Sequence, residues 1–300
     1  MTASGAAGEN AGGFLGCIEA IRAQGGVFDL MKLGFIGAGN MGSAIIDGVL
    51  RSGVLPAQEI GISRRHPELS ADLAARGVFV TDSNEELVQR SDCVVLAVKP
   101  VSVHEVVREV FDALHGKLVI SIVAGYTHEM LASLLPADAR FIRVMPNTPL
   151  AVGEGMSVIC SRCTCTQEEF DFTRSLFETA GKAAIVEERI YTAANTLSGC
   201  GPAFIFEFIE ALADGAVRCG VPRKLAYELA AQTLIGSARM VLETGRHPGE
   251  LKDAVCSPGG TTIEGVYALE RGGMRAAVME AVGASVEKTL RMSQSSADAK

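Results

Sequence analysis

The 300-residue sequence predicts an α/β fold in which a doubly wound, mainly parallel sheet is followed by an all-helical C-terminal domain. Three observations predict it. Between Lys32 and about residue 186, short apolar runs alternate with amphipathic segments, the pattern of repeated strand–helix units. The first of these runs ends in a glycine-rich turn. After Glu188 the strand-like runs vanish and long helical patterns take over.

The clearest strands are KLGFIG, EIGIS, VFVT, CVVLAV, KLVISIV and RFIRVM, each separated by a helical segment. The first runs into GAGNMG, so Gly37, Gly39 and Gly42 fit G-x-G-x-x-G, and the apolar-periodic helix MGSAIIDGVL follows. The motif alone is weak, but between a strand and a helix it reads as the turn of a Rossmann-type nucleotide domain. Gly37 permits the tight turn and Gly39 lets backbone approach a pyrophosphate. Gly42 allows the helix to pack closely on the strand, and the helix N-terminus favours the anion. A merely structural glycine turn is the alternative.

The second strand selects the cofactor. NAD sites usually place a carboxylate about 20 residues on, to accept from the ribose 2′-hydroxyl. Here ISRRH supplies Ser63, Arg64 and Arg65 instead. A hydroxyl and guanidinium groups suit a 2′-phosphate, so NADPH is expected, with NADH possible; a solvated basic turn is the plainer reading. Ligands of such sheets bind at the carboxyl ends of strands, which draws attention to AVKP (97–100) and VAG (123–125). Lys99 there reads as a surface charge or a phosphate-side contact. The turn MPNTP (145–149) is either a hydrogen-bonding element of the site or purely structural.

The helical half contains AANTLSGCGPAFIFEFIEALADGAVRCG, PRKLAYELAAQTLIGSARMVLETG, a third helix expected to begin near Pro258 or Gly259, and MRAAVMEAVGASVEKTL. Their broad apolar stripes predict completion of the core against a second copy, hence a homodimer or larger; a self-contained bundle is the alternative. Dehydrogenases of β-hydroxy acids with this layout are similar to one another in a glycine turn followed four residues later by a catalytic Lys. After Gly199-Cys200-Gly201 this chain has Ile205 at that position. Ile cannot accept a hydroxyl proton, whereas an imine carbon is already electrophilic and requires mainly positioning and one proton donor. CSPGGTTIEG (256–265) offers that: backbone N–H groups of Gly260 to Thr262 at a helix start, with the hydroxyls of Ser257, Thr261 and Thr262. It is a receptor for a small carboxylate, or else a simple N-cap.

Composition excludes other classes. The chain carries 27 Lys plus Arg against 35 Asp plus Glu, a net charge of −8, with no basic field for nucleic acid or an anionic membrane. No apolar run approaches the ~18 residues of a spanning helix. Eight scattered cysteines without a signal peptide read as reduced thiols of a cytoplasmic protein. Cys160, Cys163 and Cys165 cluster, but they lack a nearby fourth ligand, and VICSRCTC reads as a strand entering a turn, so no metal is expected. Residues 1–31 read as a leader without assigned function, a flexible tail or short appended helix, with Met31 a possible start.

Residues 32 to about 291 resemble pyrroline-5-carboxylate reductase. LKDAVCSPGGTTIEGVYALE carries the resemblance most specifically, and FIGAGNMG, ISRRH, AVKP, MPNTP and LSGCGPAF agree in order and spacing. The resemblance implies reduction of 1-pyrroline-5-carboxylate to L-proline with NADPH or NADH, the last step of proline biosynthesis. It implies a Rossmann domain (32–187) followed by a helical dimerisation and substrate domain (188–300), in dimers that often assemble into decamers. It implies cofactor contacts at Ile36, Gly37, Ala38, Gly39, Asn40 and Met41, at Ser63 and Asn84, at Ala97, Val98, Lys99 and Pro100, and at Val123 and Ala124. It implies a substrate loop of Ser257, Gly259, Gly260, Thr261 and Thr262, an acidic substrate-binding position at Glu188, and Thr262 as the catalytic hydroxyl at the imine nitrogen. Cys200, Ala254 and Thr261 depart from residues common in the family without removing a group the chemistry depends on. Two rival readings are a reductase of another cyclic imine or small keto acid, and an NADPH-binding sensor that does not turn over.

Overall fold

The computed structural model describes residues 31–298; the leader expectation for the residues before Met31 lies outside the described residues. Eight strands form one sheet: β1 (Leu33–Ile36), β2 (Ile60–Ser63), β3 (Phe79–Thr81), β4 (Cys93–Leu96), β5 (Leu118–Ser121), β6 (Arg140–Met145), β7 (Gly155–Cys160) and β8 (Gly181–Val186). Their order is β3-β2-β1-β4-β5-β6-β7-β8, parallel throughout except between β6 and β7. The helices that cover it are α1 (Asn40–Ser52), α2 (Ala71–Ala75), α3 (Asn84–Gln89), α4 (Val103–Val110), α5 (His128–Leu134) and α6 (Gln167–Glu178).

Both faces of the sheet are apolar because side chains alternate along each strand. Leu33, Phe35, Cys93, Val95, Leu118 and Ile120 join one core with Ile45, Ile46 and Val49 of α1 and Phe172, Leu176 and Phe177 of α6. Ile36, Val94, Leu96 and Val119 face the opposite core with Leu87 and Val88 of α3 and the valines of α4. The six expected strands are all present, and VICSRCTC does run from a strand into a turn at Cys160. The strand β8 was not expected: GKAAIV is alanine-rich and only partly buried at the sheet's edge, so it lacks the continuous apolar run of the central strands.

The chain order reverses at β1, with β2 paired on one side and β4 on the other. That switch point leaves a crevice beyond the carboxyl ends of β1 and β4, where doubly wound sheets place ligands.

Five helices follow: α7 (Glu188–Arg218), α8 (Arg223–Thr244), α9 (Pro248–Ala254), α10 (Thr261–Arg271) and α11 (Met274–Asp298). The change of pattern at Glu188 is the start of α7, and the short α9 was not anticipated. Compactness divides the chain elsewhere, between Gly199 and Cys200, with the residues from Lys288 grouping with the sheet.

Pro202 lies inside α7. Without an N–H it leaves the carbonyl four residues earlier, that of Ser198, without its helical donor. Asn147 of the MPNTP turn supplies one: its Nδ2 donates to the Ser198 carbonyl at 3.0 Å, and its Oδ1 accepts from the Met156 N–H at 2.8 Å. This buried amide makes the turn an architectural element that fastens β7 and α7 to the end of β6.

Among the described residues from Cys200 to Glu287, only three alanines (Ala213, Ala226 and Ala230) are buried hydrophobics. Phe206, Leu229, Ile235, Leu242, Tyr267 and Met279 are exposed there. An apolar surface of that extent marks an interaction face. None of the described helices is long and apolar enough to cross a membrane.

Candidate active site

The crevice at the switch point is a cleft of about 270 Å³, close to the lower end of the roughly 300–1,000 Å³ common for ligand pockets. Ile36, Gly37, Ala38 and Gly39 form its floor, Ser63, Arg64 and Arg65 one wall, and Ala97, Val98 and Lys99 the other, with Asn84 between.

The three motif glycines serve three different purposes. Gly37 has φ +91°, and a Cβ on it would lie 2.7 Å from the Ala97 carbonyl oxygen. A Cβ on Gly42 would lie 2.7 Å from the Gly37 carbonyl oxygen, so this glycine allows α1 to pack against the turn. A Cβ on Gly39 would meet nothing within 4 Å. Its smallness is not required by the protein's own packing, which is what a position kept clear for a ligand should show. Gly39 is also the N-cap of α1 and no side chain caps that helix, so its first N–H groups face the opening unpaired by a side chain.

The cleft is cationic in a chain of net charge −8: Arg64, Arg65 and Lys99 line it, and no carboxylate does. Its phosphate-side residues are not equivalent. The Ser63 hydroxyl is buried and donates to Asn84 Oδ1 at 2.7 Å, while Asn84 Nδ2 donates to Glu109 at 2.8 Å. Arg64 folds back, its Nη1 donating to Ser70 Oγ at 2.9 Å and to the Leu69 carbonyl at 3.3 Å. Arg65 is exposed at the rim. Ser63 and Arg64 thus shape the wall, and Arg65 has the most accessible guanidinium. The glycine cradle, the uncapped helix and the cationic rim together fit a pyridine dinucleotide phosphate.

Asn40, Met41, Gly42 and Pro100 border this cleft without lining it, and Val123 and Ala124 lie beyond the end of β5. His66, Ser102 and Val106 line it and were not expected. The signal for His66 was its place directly after the two arginines; Ser102 and Val106 reach the cleft from the turn into α4 and from α4 itself, which no local motif announces.

In the substrate loop, Gly259 takes φ +68°, so the helix cannot start at Pro258 or Gly259; α10 starts at Thr261 with Gly260 as its N-cap. The expected carboxylate donors shift accordingly. The Gly260 N–H donates to the Ser257 carbonyl at 3.0 Å and is not available. The unpaired helix-start donors are those of Thr261, Thr262 and Ile263, since an α-helix leaves its first N–H groups without internal acceptors and no side chain caps this one. Ser257, Thr261 and Thr262 are exposed, with hydroxyls at the same turn.

Glu188 is engaged differently. Its carboxylate is ion-paired with Arg143 of β6 and accepts from the Cys160 thiol at 3.2 Å. Arg143 is buried, its Nη1 donates to the Tyr126 carbonyl at 3.3 Å, and its guanidinium carbon lies 4.6 Å from the centre of the Tyr191 ring. Burial pushes the Tyr191 hydroxyl and the Cys160 thiol upward, so both stay protonated around the pair.

Comparison with known proteins agrees with this layout. Residues 188–292 match the family model for pyrroline-5-carboxylate reductase dimerisation, and residues 32–125 match that for NADP oxidoreductase, coenzyme F420-dependent. The chain is 45% identical over 267 residues to pyrroline-5-carboxylate reductase of Escherichia coli (strain K12), covering 88% of this chain and 99% of the relative. The chain belongs to the pyrroline-5-carboxylate reductase family. The Arabidopsis thaliana pyrroline-5-carboxylate reductase is 46% identical over 267 residues, with 88% and 96% covered. Among solved structures, the Plasmodium falciparum pyrroline carboxylate reductase with NADP bound superposes with a TM-score of 0.81 at 34% identity, covering 88% of this chain and 98% of that one. The chain carries the doubly wound sheet and helical C-terminal half read from its sequence.

Proposed function

We propose that this chain reduces 1-pyrroline-5-carboxylate to L-proline by hydride transfer from NADPH, the final step of proline biosynthesis. The observation that carries the reading is full-length similarity to reductases of that name, at 45% identity across 99% of the Escherichia coli protein. The second observation is chemical: Ile205 stands where hydroxy-acid dehydrogenases of this layout place a catalytic Lys, and the SPGGTT turn presents no strong general base, which suits an imine and not an alcohol.

NADPH, when bound, supplies the hydride. The Gly37–Gly39 turn and the start of α1 would hold its pyrophosphate, Ala97 to Pro100, Val123 and Ala124 would border it, and Arg65, with Arg64 shaping the wall beside it, would face the 2′-phosphate. Thr261, Thr262 and Ile263 N–H groups hold the substrate carboxylate, Ser257 and Gly259 shape that turn, and the Thr262 hydroxyl donates to the imine nitrogen. Proximity and orientation provide most of the acceleration. Residues 32–187 act as the nucleotide domain and 188–300 as the dimerisation and substrate domain of a cytoplasmic homodimer, with the decamer as the larger assembly. The exposed apolar helices support a second copy as partner. Glu188 serves to neutralise Arg143.

Oxidation of NADPH followed at 340 nm with and without pyrroline-5-carboxylate tests the reading. A substrate-dependent rate is expected, and Thr262→Ala should lower kcat roughly tenfold, the worth of about one hydrogen bond of 1.4 kcal/mol, with NADPH affinity unchanged. NADPH binding without turnover on this substrate would sink the assignment and favour the sensor or another imine.

Cofactor choice has its own test. Arg65→Ala should raise the KM for NADPH about tenfold and leave that for NADH unchanged, because only one of them carries a 2′-phosphate. Equal changes with both cofactors would assign Arg65 to some other role.

A further inference from the structure

The end of β7 and its connection to α6 carry three cysteines that the reductase site does not use. Cys160 is buried beside Glu188 and Arg143. Cys163 and Cys165 are only partly buried, and their sulfurs are 3.0 Å apart.

The backbone explains this proximity. Residues two apart in extended chain share a face, and here the chain bends at Thr164, the residue between them. Thr164 is clasped to β6 on its other side: its N–H donates to the Phe141 carbonyl at 3.0 Å, and its hydroxyl accepts from the Phe141 N–H at 2.7 Å. Arg162 is paired with Glu129 at 2.5 Å, and Thr166 caps α6 in a reciprocal capping box with Glu169. The segment is thus fastened immediately before, between and immediately after the two thiols. Shortening 3.0 Å to a disulfide of about 2.05 Å needs the sulfurs to approach by about 1 Å. Among the described residues no three His, Cys, Asp or Glu side chains are grouped to hold a metal ion, so a multi-ligand metal site is not what organises the pair.

We propose that Cys163 and Cys165 are an oxidisable dithiol that closes to an intramolecular disulfide when the protein meets hydrogen peroxide. The Cys163 thiolate attacks one peroxide oxygen, the O–O bond breaks, and the departing hydroxide takes a proton to become water, leaving Cys163 as the sulfenic acid. The Cys165 sulfur then attacks the Cys163 sulfur. The S–S bond forms, the S–O bond breaks, and the Cys165 proton leaves with the oxygen as a second water. Two thiols lose two electrons and one peroxide gains them. The Cys165 thiol donates toward the Cys163 sulfur, and burial with that hydrogen bond pushes it up, so the first attack falls to Cys163. Cys93, buried in β4, is also held protonated by its burial and does not compete. A disulfide spanning one residue closes a very small loop, so a thiol reductant should reopen it readily.

The test uses the full chain, reduced, desalted and treated with one equivalent of hydrogen peroxide before thiol alkylation and peptide mass mapping. The expected result is a fall from eight alkylatable thiols to six, with the loss of two hydrogens in the peptide spanning Ser161–Thr166 and full reversal by dithiothreitol. Cys165→Ser should accumulate a dimedone-reactive sulfenic acid on Cys163, and Cys163→Ser should yield neither adduct nor disulfide. A disulfide mapped to other cysteines, eight thiols surviving, or a two-thiol loss persisting in both serine variants would overturn the proposal. Mapping on the native chain does not depend on either variant folding.

Discussion

Gly39→Val is expected to leave the protein folded while weakening NADPH binding at least about a hundredfold. The position has open space around a Cβ and an ordinary negative φ of −75°, so the protein's own packing accepts the side chain. The loss is a helix-cap effect of about 1 kcal/mol, only a few degrees in Tm. The branched side chain would stand where backbone must approach the pyrophosphate. Displacing two charge-assisted contacts of roughly 1.5–3 kcal/mol each accounts for the hundredfold or more. Gly37→Ala is the contrast: φ +91° and a 2.7 Å approach to the Ala97 carbonyl mean that it should lower Tm and cofactor affinity together. Calorimetric titration with NADPH beside a thermal melt separates the two. Unchanged affinity in Gly39→Val would place the pyrophosphate elsewhere.

The cofactor half of the site was legible because its signals are local. A strand, three glycines at fixed spacing and a helix specify the turn, and a second strand ending without a carboxylate indicates the phosphate. The details that needed coordinates are competitions between groups for the same partner. Ser63 looked available to a phosphate, but its hydroxyl donates to Asn84, 21 residues away. The Gly260 N–H looked available to a carboxylate until Gly259 took a left-handed turn and directed it to Ser257. The Asn147–Ser198 bond depends on a proline in one helix and on an amide 51 residues before the carbonyl that this proline leaves free. Neither end has a periodic signature. The strand β8 escaped notice for another reason: at a half-exposed edge, alanines satisfy the packing, and a sequence reading keyed to valine and isoleucine passes over them.

Arg143 had a legible signal that went unread. RFIRVM places a cation among apolar residues of a strand, and a buried Arg requires a partner. That partner is Glu188, first residue of α7, so the ion pair ties the middle of the sheet to the entry of the helical half. The two ends of the pair are unequal. Arg143 has a side chain only 6% exposed, and its Nε is already buried without a partner, whereas Glu188 is 35% exposed and can be hydrated if left alone. Removing the carboxylate strands a buried cation, and removing the cation frees a carboxylate that water can reach. Glu188→Ala should therefore destabilise by roughly 3–5 kcal/mol, about 10 °C in Tm, and Arg143→Met by no more than about half of that. The double variant should match Arg143→Met alone, because the penalty resides in the unpaired guanidinium. Thermal and urea melts of the three variants decide it. If Glu188→Ala melts normally but raises the KM for pyrroline-5-carboxylate, Glu188 contacts substrate and Arg143 is satisfied by the Tyr126 carbonyl and the Tyr191 ring.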